Sequence, residues 1–531
     1  MNSNLSPPVI REKKPWLVFG SLFIWFILVI IIIWPWIHQI DPIQGYFTYF
    51  AHLSAAIWWI VLFWTLHNLV FQFLALFNKP ATSSLDFNSL PSVAILYATC
   101  DDFNSECCLS CLNQDYSNYR ILICDDSSPK SAYMNTIDNF CNEHLKKSGA
   151  HIRRPDTRGF KAGNLNHAIR ENVIEDWILL VDADQFLPKD YLSKLIKSLP
   201  PEQIDLAFVQ TSHEPVLDKS NPFQATMSQE IKLFFSRDLI LRQTYGFMPI
   251  LGHGTLINKK SWEKVKGFPE VVSEDFAFAL RIAGIKQKGF YTENTFAYEN
   301  YPVDFGGFMI RIKKFSGGTA ELFRREILRF LSSSASFTEK WDLLMQLGWY
   351  FLMPAIVLNG YLSAYVVHTL WVENIPYLHP VLPYLYTLIF VNLFSVNLSV
   401  MRNFSSALKF YFWSTAIYTS ALPLAGLSFL KHLFIKPTFE RTPKNSEKTS
   451  INIIDKTIML CLGILAIVLA FHWFSPFSPI LIGQGIAYIS YPFYNWIDNT
   501  KLKGIIGRCL VCLPGLFMLI GLIATWIWGR F

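Results

Sequence analysis

Val181-Asp182-Ala183-Asp184 closes an apolar run, Trp177–Val181. Two carboxylates at i and i+2 on a turning loop can point at one hard cation, and oxygen donors suit Mg²⁺ or Mn²⁺. Such a cation would neutralise a nucleotide diphosphate as it leaves; ordinary turn or cap residues are the plainer reading of the same triplet. Cys124-Asp125-Asp126-Ser127 ends another apolar run. It reads either as a turn with Asp as helix cap or as a carboxylate accepting hydrogen bonds from a base or ribose. Lys161-Ala162-Gly163-Asn164 supplies a cation and a tight turn at a helix start, suited to phosphate. Arg153, Arg154 and Arg158 lie just before it, and a solvated basic face accounts for them equally well. Ser273-Glu274-Asp275 opens an amphipathic stretch, Phe276–Ile282. It is either an N-cap with first-turn acids or a site in which Asp275 deprotonates a sugar hydroxyl as general base. Gly252-His253-Gly254-Thr255 precedes it, and its glycines let backbone approach a substrate closely. A lone His in such a place more often packs or hydrogen-bonds than catalyses.

These residues need a frame. Strand-like runs end at Tyr97, Cys124 and Val181, each followed by acidic residues and then a helical pattern. An open α/β sheet presents a ligand site along its carboxyl edge in this way. The frame is embedded in apolar sequence. Charged residues are 16% of the 531 and hydrophobic residues 52%, against about 25% charged in an ordinary soluble domain. Disorder, a collagen-like repeat and a disulfide scaffold are excluded, and an integral membrane protein is expected. The net charge of +6 comes without a polybasic tail, so no nucleic-acid partner is expected. Cys107, Cys108 and Cys111 have no second Cys/His pair at zinc-like spacing, and free thiols in a reducing compartment are the plain reading.

Uncharged runs at 16–37 and 51–77 precede the polar block; others follow at 345–372, 381–401, 410–430, 457–474, 479–497 and 509–529. The 22-residue first run is longer than a signal-peptide core. The positive-inside rule places the basic N-terminus and the polar block in the cytoplasm. A crossing at 410–430 would put Lys431, Lys436, Arg441, Lys444 and Lys448 outside, so that run reads as a helix lying at the interface. Seven spans result. The expected organisation is an N-terminus with two membrane helices (1–90), a cytoplasmic catalytic domain (91–304), amphipathic interface helices (305–344), two membrane helices and an interfacial helix (345–430), a polar loop (431–454) and C-terminal membrane helices (455–531).

The ordered set of a strand then Asp101, a strand then Asp125, Lys161-Ala-Gly-Asn, Asp182-Ala-Asp184, Gly252–Thr255 and Ser273-Glu-Asp275 resembles the family-2 glycosyltransferases. It looks most like the membrane-embedded branch that includes cellulose, hyaluronan and chitin synthases, over roughly residues 91–330. Phe439-Glu-Arg-Thr442-Pro-Lys444 is similar to the gating loop of cellulose synthases, Phe-x-Val-Thr-x-Lys. The resemblance implies an α/β nucleotide-diphospho-sugar transferase (GT-A-like) domain inserted in an α-helical transmembrane bundle. Thr99 and Asp101 would hold uracil, Asp125 the nucleoside, Lys161 the diphosphate, Asp182 ribose and metal, and Asp184 the metal. Asp275 would be the base, with Glu274 beside it and His253, Gly254 and Thr255 facing the acceptor. Phe439 and Lys444 would close over uracil and phosphate. Where the family carries Gln-x-x-Arg-Trp, this chain has Arg311-Ile-Lys-Lys314-Phe315. Lys314 keeps a cation for phosphate but not the planar fork of Arg, and Phe315 keeps an aromatic face for a sugar.

The implied activity is that of a UDP-sugar-dependent hexosyltransferase using Mg²⁺ or Mn²⁺. It would extend a β-linked polysaccharide by inverting displacement and pass the growing glycan through its own helices. Membrane lipid and accessory export subunits are the implied partners, and a bacterial inner membrane the implied location. A non-processive enzyme glycosylating a lipid shares the catalytic residues. A transporter with a regulatory domain would carry charges within its spans, and almost none are present. A catalytically dead homologue is disfavoured by the intact Asp182, Asp184 and Asp275.

Overall fold

The computed structural model describes residues 15–34, 45–75, 90–145, 148–199, 205–216, 220–373, 403–437, 449–498 and 501–528, with a few single positions besides. Seven strands form one sheet: β1 (Val93–Thr99), β2 (Tyr119–Asp125), β3 (Gly149–Arg153), β4 (Trp177–Asp182), β5 (Leu206–Val216), β6 (Thr255–Asn258) and β7 (Lys288–Asn300), in the order β3-β2-β1-β4-β6-β5-β7. Neighbours pair in parallel except β6, which runs antiparallel to both β4 and β5. The central strands read as continuous apolar runs because both faces are covered, as a parallel sheet requires. In β1, Val93, Ile95 and Tyr97 enter the core on one face while Ala94 and Leu96 enter the core on the other. Cys107, Cys108 and Cys111 are buried in the first of these cores and form no disulfide. Burial raises the Cys108 and Cys111 thiols well above their usual range, which makes them inert packing residues.

Among the described residues, four helices are long and apolar enough to cross a membrane: Tyr46–Asn68, Phe337–Val372, Ile453–His472 and Leu502–Trp528. Seven spans are thus not all matched. The first run forms Trp16–Leu28 and continues as a π-helical turn, Val29–Ile33. The run at 479–497 departs from expectation. It folds as a 12-residue helix, Ser478–Ile489, followed by a 3₁₀ segment, Tyr491–Trp496. Twelve residues rise about 18 Å, short of the roughly 30 Å of hydrocarbon. Pro492 accounts for the break, since it removes an N–H and disfavours α geometry at Tyr491 before it. Nearly all of 381–401 lies outside the described residues.

The run at 410–430 is part of a 29-residue helix, Phe404–His432, not among the four. It joins two regions. Ser316 Oγ, on the helix Phe305–Leu322 behind the catalytic sheet, donates to Ala425 O at 2.6 Å. On its other flanks Gly426 packs on Pro354 and Phe412 on Gly515. The helix Phe337–Val372 starts eight residues before the expected span, at a capping box made by Ser336 and Glu339. Polar contacts tie it to Tyr46–Ala75: Trp58 Nε1 donates to Ser363 Oγ at 2.9 Å and Ser54 Oγ to Asn359 Oδ1 at 2.8 Å.

The sheet region is anchored to these helices by Arg242. Its Nη1 donates to both Asp342 oxygens at 2.7 Å, and Phe247 N donates to Asp342 Oδ2 at 2.8 Å. The guanidinium also lies 5.3 Å from the Phe71 ring, and Lys13 Nζ donates to the carbonyls of Arg242 and Gln243. Removing one partner of such a buried pair strands the other charge, at about 3–5 kcal/mol. Arg242→Met is therefore expected to lower the thermal midpoint of the detergent-solubilised protein strongly. Arg158→Met, at an 83% exposed side chain, is expected to leave it near wild type.

Candidate active site

The carboxyl ends of β1, β2 and β4 lie side by side, with Thr99 opposite Asp125 and Ala98 opposite Asp182. The chain must turn sharply after β1, and Asp101 takes a left-handed conformation, φ 56°. Asp101 Oδ1 accepts from Ser128 N at 3.0 Å, while Thr99 Oγ1 donates to Asp102 Oδ1 at 3.1 Å. Asp125 is buried at the end of β2. Its Oδ2 accepts from Arg153 Nε at 3.0 Å and Nη2 at 2.7 Å and meets His151 Nε2 at 3.1 Å; Oδ1 accepts from Ser127 N at 2.8 Å. Burial opposes its charge, but His151, Ser127 and Arg153 outweigh burial and hold the carboxyl well below its ordinary range. Its neighbour Asp126 faces the opposite way and is clasped by Arg154, Nε at 2.8 Å and Nη2 at 2.6 Å.

Lys161 stands in the first turn of the helix Phe160–Asn172, entered through left-handed Gly159 and Phe160. Its Nζ donates to Asp182 Oδ1 at 2.6 Å and to Gly252 O at 2.9 Å, with Glu274 Oε1 at 3.8 Å. Burial disfavours the ammonium, yet Asp182 and Glu274 raise its pKa above the ordinary lysine value. Glu274 and Asp275 occupy the first turn of the helix Glu274–Gly284, where the helix dipole favours negative charge. Burial pushes Glu274 up to about 7 against the pull of Lys161. Burial likewise raises Asp275, with Lys161 offsetting part of it. A carboxylate lifted in this way beside a cation is suited to accept a proton near neutral pH.

His253 Nε2 lies 3.1 Å from Glu299 Oε2 and 4.0 Å from Asp182 Oδ2. Its ring stacks on His213, centroids 4.3 Å apart. Burial disfavours the His253 imidazolium, but Asp182 and Glu299 raise its pKa. Burial lowers His213.

A cavity of about 1510 Å³ is lined by Thr99, Lys161, Asp182, Asp184, His253, Glu274, Asp275, Lys314 and Phe315, so nine of the expected residues share one space. Asp101, Asp125, Gly254 and Thr255 are not in its lining. Thr255 belongs to β6 and is fully buried, donating to Gln210 Oε1 at 2.7 Å. Phe439 and Lys444 lie outside the described residues. Sequence reasoning missed Cys100, Asp102, Asp126, His213 and Glu299, which do line the cavity. It also missed Lys436, which lies 5.6 Å from the Phe160 ring beside Lys161. The oxygen donors of Asp182 and Asp184, both facing the cavity, form a set that fits a hard divalent cation.

Gly252 makes this crowding possible. Its φ is +82°, and a Cβ there would stand 3.0 Å from Asp275 Oδ2. Gly252→Ala is expected to cost about 1–3 kcal/mol by thermal unfolding. Asp275→Ala in the same background is expected to recover the steric part in a double-mutant cycle.

Residues 177–425 match the family model described as Glycosyl transferase family group 2. The chain is 24% identical over 254 residues to a "Probable glycosyltransferase" of Sulfolobus acidocaldarius, covering 47% of this chain and 53% of that protein. It is 29% identical over 166 residues to cellulose synthase 1 catalytic subunit (UDP-forming) of Komagataeibacter xylinus, covering 29% and 20%. It is 23% identical over 214 residues to probable glucomannan 4-beta-mannosyltransferase 15 of Arabidopsis thaliana, covering 39% of each. The chain thus spans about half or less of the length of these relatives. Among solved structures, the mannosyltransferase PcManGT of Pyrobaculum calidifontis, in complex with GDP-Man and Mn²⁺, aligns with a TM-score of 0.45 at 16% identity, over 71% of this chain and 98% of that one. The matched residues hold Asp182, Asp184, Glu274, Asp275, Lys314 and Phe315.

Proposed function

We propose that the protein is a processive, inverting glycosyltransferase that uses a UDP-sugar to extend a β-linked polysaccharide and passes the product across the membrane. The observation that carries this reading is the continuity of the cavity. The space that holds Asp182, Lys161 and Asp275 is also lined by Trp58, Trp349, Asn359, Tyr411, Gln484 and Tyr488, on helices around the membrane-spanning segments. Aromatic faces and amides suit a chain of sugar rings, each with an apolar face and a hydroxyl rim. The likeness to a UDP-forming cellulose synthase subunit supports the donor.

In the transfer, Asp275 accepts the proton of an acceptor hydroxyl as that oxygen attacks the anomeric carbon. The bond from that carbon to the diphosphate oxygen breaks, and inversion of an α-linked donor gives a β-linkage. Lys161 meets the negative charge that collects on the leaving diphosphate. Asp182 and Asp184 would hold Mg²⁺ or Mn²⁺, which supplies further counter-charge to the diphosphate. Lys314 and Phe315 face the same space and would meet phosphate and sugar. The stretch 438–448, with Phe439 and Lys444, is proposed to act as the gate. Its flanks support this: Lys436 lies over Phe160, and Thr449 Oγ1 donates to Asp304 Oδ1 at 2.5 Å. The proposed setting is a bacterial inner membrane, with the sheet on the cytoplasmic side, seven spans and accessory export subunits. A lipid acceptor is the second reading, favoured by the Met353, Ile356, Val357 and Leu522 portion of the cavity wall.

Asp275→Asn is expected to leave UDP affinity near wild type and to lower turnover by about 10²–10⁴-fold. Because burial raises Asp275 above its ordinary value of 3.8 and only the deprotonated form accepts a proton, wild-type kcat should fall as pH drops through that raised value. Lys161 holds the pKa down, so kcat of Lys161→Gln should fall at higher pH than wild type.

The decisive measurement offers purified protein individual UDP-sugars with Mg²⁺ or Mn²⁺. One donor is expected to yield a high-molecular-weight product degraded by a β-specific glycosidase, and excess chelator is expected to stop its synthesis. Single-sugar lipid adducts from the same donor would establish the second reading instead.

A further inference from the structure

We infer that His213, His253 and Glu299 form a binding site for a divalent transition-metal ion of the zinc class, separate from the carboxylate pair Asp182 and Asp184. The three side chains come from β5, the turn before β6 and the end of β7, and the ligand atoms of all three lie within 4.8 Å of one another. His213 Nδ1 is 3.4 Å, and His253 Nε2 3.1 Å, from Glu299 Oε2. Zinc bonds of about 2.0–2.1 Å in tetrahedral geometry imply ligand-to-ligand edges of about 3.3 Å, and the two edges to Glu299 already stand near that spacing. Two imidazoles and a carboxylate suit zinc, whereas oxygen-only sets suit Mg²⁺ and Mn²⁺.

Further features surround these three side chains. His213 Nε2 lies 3.2 Å from the carbonyl of His253. Donation to that carbonyl would leave Nδ1 its lone pair, as metal-bound histidines usually require; Gln210 Nε2 lies 3.4 Å from the same nitrogen. Gln185, which follows Asp184, is fully buried with both amide atoms unpaired. Its Nε2 lies 3.1 Å, and His213 Nε2 2.7 Å, from where a Cβ on Gly254 would stand. Gly254 itself has φ +59°, so the close approach of its backbone to His213 depends on glycine. The strands supplying His213 and Glu299 pair in parallel, with His213 opposite Ala297 and Pro215 opposite Glu299, which keeps the donors in place without the ion. The inference stands on this geometry alone and holds whichever acceptor the enzyme uses.

The test uses full-length protein in detergent, stripped with chelator, exposed to Zn²⁺ alone and then freed of excess metal before elemental analysis. Wild type and Asp184→Ala are both expected to retain stoichiometric zinc, and Glu299→Gln to lose most of it. Co²⁺ in place of Zn²⁺ is expected to give wild type the visible bands of a tetrahedral site without thiolate charge-transfer absorption. That spectrum decides the matter should Glu299→Gln fail to fold. Loss of zinc by wild type on removal of excess metal, equal retention by folded Glu299→Gln, or thiolate bands that place the ion at cysteines would each overturn the inference. The first result would leave His253 and Glu299 as a plain ion pair.

Discussion

Three carboxylates and one ammonium share a small, largely water-shielded volume at the edge of the sheet, and the rest of the site is arranged around their mutual compensation. Lys161 touches Asp182 and the Gly252 carbonyl and lies within reach of Glu274. Without that cation, the acids would be driven to their neutral forms by burial and by one another. With it, Glu274 is held at about 7. A single lysine thus offsets part of the rise that burial imposes on Glu274 and Asp275. The left-handed entry to its helix at Gly159 and Phe160 and the bare backbone of Gly252 are the local costs of bringing these charges together.

Part of this arrangement is legible in the sequence. Carboxylates directly after apolar runs mark strand ends, and strands of a parallel sheet end along one edge; Asp182, Asp184 and Thr99 reach the cavity for that reason. Asp275 is legible because a Ser-Glu-Asp at a helix start must face whatever the helix points toward. Asp125 shows where such reading stops. Successive residues leave a strand on opposite sides, so two adjacent aspartates cannot both face the cavity, and their order does not say which does. Here β3 supplies Arg153 and His151 to one side and claims Asp125, leaving Asp126 to the cavity. His213 and His253 are 40 residues apart in sequence, and only the β5–β6 pairing brings them together.

The membrane portion was legible in composition but less so in segmentation. An uncharged run of 19 residues at 479–497 reads as a span from its lack of charge, yet Pro492 falls within it and the run divides into a short helix and a 3₁₀ segment. Small residues then let these pieces pack closely: Gly483 on Pro514 and Phe517, Gly485 on Ile467 and Ala466. Hydropathy measures what a segment tolerates around it, not whether its backbone continues in one direction.

One wall of the cavity has an unusual ownership. Glu230, from the catalytic region, pairs with Arg311 on the helix behind the sheet and accepts from Tyr418 on Phe404–His432, while Tyr301 donates to it at 2.9 Å. Arg311 in turn lies 4.8 Å from the Tyr301 ring and 5.2 Å from that of Phe308. Three structural units therefore meet at one carboxylate, and none of them can be exchanged alone. A chimera joining this catalytic domain to another enzyme's helices would bury Glu230 without its partners unless Arg311 and Tyr418 travelled with it. The helices that line the cavity are thus inherited as a unit with the sheet domain they pack against.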